Sequence, residues 1–306
     1  MVVHNFTYGL LNPGLAYLTS CLGCFLGLQC TARARAMRGA QRARWLLLAA
    51  VAIGTTGIWV MHFIAMLGFS IPGQTITYSV PVTILSMLIA VAVVSVGLLI
   101  VGFGGQGPGP LLLGGTIIGV GVASMHYMGM WAMRMPDTMS YNRMLFALSV
   151  LIAIVAGTAA LWAALRLGGV RNTLLASLIM GVAVSGMHYT GMAALRIQAA
   201  PGAGMSDMGS GAAGLAFLMP LIVGITAVTF ILTAMITLGP TEAEIREEAA
   251  LRERIAGQSE RASRPIASGP TTWPGPTGSH NGGATGSRQP SFRWSAPRSA
   301  GRNRSR

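Results

Sequence analysis

The sequence predicts an all-α membrane protein of seven transmembrane helices, built as three parallel helical-hairpin repeats plus one helix. Three observations lead there. Of 306 residues, 52% are apolar and 9% charged, with a mean hydropathy of +0.60, whereas a soluble chain carries about 25% charged residues. Seven stretches reach the roughly 20 apolar residues that a bilayer crossing requires. A Met-His string also recurs at nearly constant spacing.

The charges are unevenly placed. Trp45–Met133 contains no Asp, Glu or Arg, while Thr241–Arg306 holds eleven of the 21 arginines and six of the eight acids. The net charge of +13 therefore belongs to loops and tail, and it reads as membrane topology, not as a nucleic-acid surface. Lysine is absent. That excludes a retinal or pyridoxal Schiff base and a Walker-type phosphate lysine.

Taken in order, the predicted spans are Tyr8–Cys30, Trp45–Phe69, Val80–Phe103, Leu111–Met133, Met144–Leu165, Asn172–Leu195 and Gly214–Leu238. The first has no basic residue before its apolar run and arginines after it, which favours a retained helix over a signal peptide. Asn12-Pro13 marks a turn or kink near its start. The next loop carries Arg33, Arg35, Arg38, Arg42 and Arg44, a strong cytoplasmic signal. Gly104–Pro110 implies a tight hairpin, and Arg166 and Arg171 lie between the fifth and sixth spans. An N-terminus outside and a C-terminus in the cytoplasm satisfy most of this pattern in a multi-pass protein of the cytoplasmic membrane. Arg134, Arg143 and Arg196 then fall outside, accompanied by Asp137 and Asp207. Gly239-Pro240 stops the last span. Thr241–Ile255 has the spacing of one short charged helix, with Glu242/Arg246 and Glu248/Arg252 as pairs. From Ala256 onward the composition is that of a disordered tail.

The repeat carries the chemistry. Met61-His62-Phe63-Ile64-Ala65-Met66 recurs as Met125-His126-Tyr127-Met128-Gly129-Met130 and as Met187-His188-Tyr189-Thr190-Gly191-Met192. The histidines fall on the second, fourth and sixth spans, which run in the same direction. Each stands seven or eight residues before its span's outer end, roughly 10–12 Å deep at about 1.5 Å per residue. At helical spacing, a histidine and the Met four residues later share a face, with the preceding Met to the other side. Each motif thus presents a Met–His–Met fan, and three fans at one depth converge. Imidazole and thioether are neutral, borderline-to-soft ligands suited to copper, Cu(I) in particular. The predicted metal ligands are Met61, His62, Met66, Met125, His126, Met130, Met187, His188 and Met192. Tyr127 and Tyr189 are expected to orient a histidine or to tune the bound ion. Gly129 and Gly191 are expected to let helices approach closely, as are Gly57, Gly121 and Gly181. Met128, Met133, Met135, Met139, Met205 and Met208 form a thioether-rich outer rim.

Other features carry less. Cys21 and Cys24 read as buried apolar thiols, and Cys30 as a reduced one. His4 is placed outside and His280 in the tail. Gly104-Gly105-Gln106-Gly107 lacks the strand and the lysine of a phosphate loop.

The string Met187-His188-Tyr189-Thr190, with its two variants at matched spacing, resembles the MHYT-domain integral membrane sensor family. The resemblance runs from about Tyr8 to Ala199, giving a sensor domain over 8–199, a seventh helix over 214–238 and a tail over 239–306. It implies copper bound by the same nine residues near the outer face of the cytoplasmic membrane, and sensing of oxygen, carbon monoxide or nitric oxide. Two departures, Phe63-Ile64-Ala65 and Met128, point away from a symmetric three-part site. Many relatives attach cyclic-di-GMP-metabolising or kinase output domains. This tail has room for none, so no enzymatic turnover is expected, and a separate signalling partner is. The alternatives are a copper or proton conduit, a haem protein with two axial histidines, and a purely structural subunit.

Overall fold

In a computed structural model, the structure describes residues 9–71, 76–105, 107–135, 138–198, 211–238 and 250–258. The readings at His4, Gln106, Asp137, Met205, Asp207, Met208, His280 and most of the tail lie outside the described residues. Among the described residues, seven helices are long and apolar enough to cross a membrane, and they fall where the sequence places them. They are α1 (Leu11–Ala36), α2 (Gly39–Met66), α3 (Val80–Gly104), α4 (Pro108–Trp131), α5 (Arg143–Arg166), α6 (Val170–Ala194) and α7 (Gly211–Leu238).

The first six close into a ring. Each packs on its neighbours in sequence, and α6 returns to α1; α7 lies outside against α1 and α2. This follows from the hairpin repeat, since short connections force antiparallel neighbours. The α3 and α5 helices are less buried than their hairpin partners α4 and α6, so the motif-bearing helices are the inward ones. Gly23 and Gly57 set the closest approach of α1 to α2. A Cβ on Gly23 would stand 2.2 Å from the backbone nitrogen of Gly57.

α2 differs from the expected uniform helix. It opens as an α-helix, passes through a π-helix over Ile53–Val60, and resumes as an α-helix over Met61–Met66. Side chains tie this segment and its flanks to the neighbouring helices. Ser20 Oγ donates to the Gly57 carbonyl at 2.7 Å. Trp59 Nε1 donates to Thr83 O and lies equally near Ser86 Oγ, both at 3.1 Å. Asn12, at the start of α1, donates to Ile64 O at 3.3 Å beside the motif.

α4 and α6 end one or two residues earlier than their apolar runs, where the chain turns into short strands; α2 ends at Met66 in a turn over Leu67 and Gly68. β1 (Thr77–Tyr78) pairs antiparallel with β2 (Met133–Arg134). β3 (Thr138–Tyr141) pairs antiparallel with β4 (Leu195–Gln198). β1 precedes α3 and β2 follows α4, as β3 precedes α5 and β4 follows α6, so each ladder closes the open end of one hairpin. Burial pushes the Tyr141 phenol up to about 12, with Tyr127 adding to the effect. It therefore stays neutral.

At the other end, α1 runs six residues past its predicted limit. Arg33 and Arg35 thus sit on its last turn, not in a loop. Arg33 donates to Ile236 O of α7 at 2.7 Å. Arg35 donates to Ala164 O of α5 at 2.7 Å and also to Leu167 O. A guanidinium on a helix C-terminus satisfies carbonyls that have no partner within the helix. The seventh helix belongs to the same compact unit as the repeats, Met1–Thr241. In the second unit, residues 250–258 are helical, overlapping the C-terminal part of the predicted charged helix.

Candidate metal centre

Each motif occupies the last turns of its helix. His62, His126 and His188 stand four, five and six residues before the ends of α2, α4 and α6, roughly 6–9 Å of helix. All three meet. The Nδ1 atoms of His62 and His188 are 3.0 Å apart, those of His62 and His126 3.2 Å, and those of His126 and His188 3.3 Å. The rings stand nearly perpendicular, at 78–88°. They are fully enclosed, with exposures of 1%, 0% and 1%. Among the described residues this is the group of histidine, cysteine or acidic side chains whose donor atoms cluster tightly enough for an ion. The nearly equal edges make it more symmetric than the motif departures suggest.

Such a triangle cannot satisfy itself. A neutral imidazole nitrogen carries either a hydrogen or a lone pair, not both. Around three corners, at least one edge must join two of the same kind. Two hydrogen bonds at most can form, and the remaining edge is repulsive inside a buried site. A cation removes the conflict, because all three lone pairs then point to one centre. The size fits as well: donors with bonds of about 2.0 Å lie about 3.3 Å apart around a tetrahedral ion. Two axial haem ligands would instead oppose one another at about 4 Å, on the same bond length, which these edges do not provide.

The methionines divide. Met66, Met130 and Met192, each four residues after its histidine, share one apolar cluster with Phe69, Ile71 and Met133. Met135 and Met139 of the expected rim pack against it, as do Tyr78, Leu195 and Ile197. The preceding methionines do not gather. Met61 packs with Ala16 and Ala65, whereas Met125 and Met187 join the main core. The predicted Met–His–Met fan is therefore realised on one side, as a histidine layer followed by a methionine layer.

The aromatic residue after each histidine braces it edge-on. Phe63 lies 4.9 Å from His62 at 86°, Tyr127 4.9 Å from His126 at 81°, and Tyr189 5.0 Å from His188 at 79°. Phe63 does this without a hydroxyl. The Tyr127 hydroxyl pairs with Ser149 Oγ of α5 at 2.6 Å, so Tyr127 meets the histidine through its ring and not as a hydrogen-bond donor.

Gly129 and Gly191 depart from their expected role. A Cβ on Gly129 would lie 2.3 Å from His62 Nε2, and one on Gly191 2.3 Å from His126 Nε2. They make room for imidazoles instead of for a helix backbone. Gly57 does sit against α1, near Cys24; Gly121 faces the Val93 side chain, and Gly181 faces Cys21 and Tyr17. Cys21, Cys24 and Cys30 are free, buried thiols.

The bundle also encloses an apolar cavity of about 50 Å³, lined by residues including Cys24, Ile53, Leu98, Ile118, Leu161 and Met187.

A multi-pass membrane protein whose three inward helices each deliver one neutral imidazole to a buried centre is the class that fold and site define. Residues 56–177 of the chain carry two MHYT repeats. The family profile, described as a "bacterial signalling protein N terminal repeat", matches residues 56–115 and 119–177, which contain His62 and His126. The third motif lies beyond both matches, and the structure completes the triangle with it. The chain is 42% identical over 200 residues to the cyclic di-GMP phosphodiesterase NbdA of Pseudomonas aeruginosa, covering 63% of this chain and 25% of that protein. It is 35% identical over 235 residues to the bifunctional diguanylate cyclase/cyclic di-GMP phosphodiesterase MucR of the same organism, covering 75% and 34%. It is 29% identical over 195 residues to the signaling protein YkoW of Bacillus subtilis, covering 61% and 24%. The chain thus spans about a quarter to a third of the length of these relatives. No solved structure matches. The shared region is a membrane sensor domain of signalling proteins.

Proposed function

We propose that this sensor domain binds a single copper ion, as Cu(I), at His62, His126 and His188, close to the outer face of the cytoplasmic membrane, and reports a diatomic gas or the redox state. The carrying observation is the triangle of Nδ1 atoms with edges of 3.0–3.3 Å. Three features favour copper. The donors are uncharged, so a monovalent ion enters a low-dielectric site at less cost than a divalent one. Imidazole is borderline-soft. The adjoining layer of Met66, Met130 and Met192 supplies thioethers that select soft ions. Bound copper provides a centre that can accept a diatomic ligand or exchange an electron. The chain's own part is to hold three imidazoles on three different helices, exclude water, and couple their positions to one another.

Transmission to the inside would use the same helices. α2, α4 and α6 start at the arginine-bearing end, where Arg33 and Arg35 bind the ends of α7 and α5. A change in spacing among the three helices therefore has a cationic face to act on. The output passes to a separate partner or to a catalytic region of the kind named in NbdA and MucR.

The test is elemental analysis of protein purified in detergent and loaded anaerobically with Cu(I). The expected result is one copper per chain in the parent and none retained in the His62→Ala/His126→Ala/His188→Ala variant, with membrane insertion intact. Equal copper in both would reject the proposal.

A further inference from the structure

We infer that Gly129 and Gly191 are positioning residues that fix which imidazole nitrogen faces the centre, making it an Nδ1 site. This rests on the metal reading above and specifies its donor atoms. The two seats are nearly superimposable. A Cβ at 129 would meet Nε2, Cδ2 and Cε1 of His62 at 2.3, 2.9 and 3.3 Å; one at 191 would meet the same atoms of His126 at 2.3, 2.9 and 3.2 Å. Each seat is the third residue after its own histidine and holds the ring of the preceding repeat. α4 seats the ring from α2, and α6 seats the ring from α4. The corresponding position on α2 is Ala65, which already carries a methyl group, so the glycine seats hold the rings of His62 and His126 and not that of His188.

A metal-bound histidine ordinarily donates its other N–H to a carboxylate, carbonyl or water, and that bond fixes ring and tautomer. Here His62 Nε2 and His126 Nε2 are buried without a hydrogen-bond partner among the described residues. Steric enclosure orients the rings in place of that bond. With bare Cα against the Nε2 edge, Nδ1 is the nitrogen left facing the centre. A methyl group in either seat pushes the ring off the triangle.

The experiment uses the full chain labelled with ¹⁵N-histidine, with Cu(I) as the probe. Two-bond proton–nitrogen correlation spectra distinguish Nδ1 from Nε2 ligation, and competition with a chelator gives the affinity. Cu(I) is expected to shift the Nδ1 resonances of His62 and His126. Gly129→Ala and Gly191→Ala are each expected to weaken binding about 10- to 100-fold, the range for losing an orienting partner. Gly115→Ala, whose Cβ would strike Thr158 Oγ1 at 2.1 Å on α5, serves as the packing control and keeps parental affinity. Shifts at Nε2 overturn the inference even if the alanine variants fail to fold. So does parental affinity in folded Gly129→Ala and Gly191→Ala. If the parent shows no Cu(I) response, the metal reading itself fails and takes this assignment with it.

Discussion

At the scale of single residues, buried polar atoms are arranged around the motif so that most have one partner. The Gly57 carbonyl, within the π-helix, accepts from Ser20 at 2.7 Å. Ser20→Ala should therefore destabilise the fold by about 1 kcal/mol, the net worth of a lost hydrogen bond. Thermal unfolding in detergent would register it, and an unchanged midpoint would mean that the carbonyl has another partner. The histidines were legible in the sequence because repetition at 62 and 64 residues turns three isolated residues into one pattern. The role of Gly129 and Gly191 was not. Glycine in a membrane helix ordinarily signals helix–helix contact, and nothing local to the string shows that a ring from another helix fills the space.

Elements differ in what they disclose. The seven apolar runs matched the helices with ends differing by up to six residues, because bilayer length and hydropathy fix the spans directly. The π-helix over Ile53–Val60 left no comparable trace, since its composition is apolar like that of any span. Its consequence is testable. Residues in an α-helix advance by about 100° each, so inserting one alanine between Val60 and Met61, where the α-helix resumes, should rotate His62 away from the triangle. The insertion variant is expected to reach the membrane normally and to retain little or no copper; full retention would show that the winding of this segment does not set the ring's direction. The strand ladders beside the motif were also invisible. β1 and β2 are two residues each, too short for an alternating pattern to register.

For the whole molecule, three hairpins in a ring place one face of every second helix inward, and so produce a three-part centre without help from α7. At the opposite end, Arg33 and Arg35 join α1 to the ends of α7 and α5. The sequence read these arginines as loop charges because the positive-inside pattern says where arginine lies, not what it bonds. Arg35→Ala should lower stability by about 1–2 kcal/mol through two carbonyls left without a charged donor, seen as a lower unfolding midpoint with copper binding retained. Loss of copper in that variant would instead tie the two ends of the bundle together. X-ray absorption on the copper-loaded chain tests the convergence of the three helices most directly. Three imidazole nitrogens at about 2.0 Å from copper are the expected result; one imidazole or none would refute a centre shared by α2, α4 and α6.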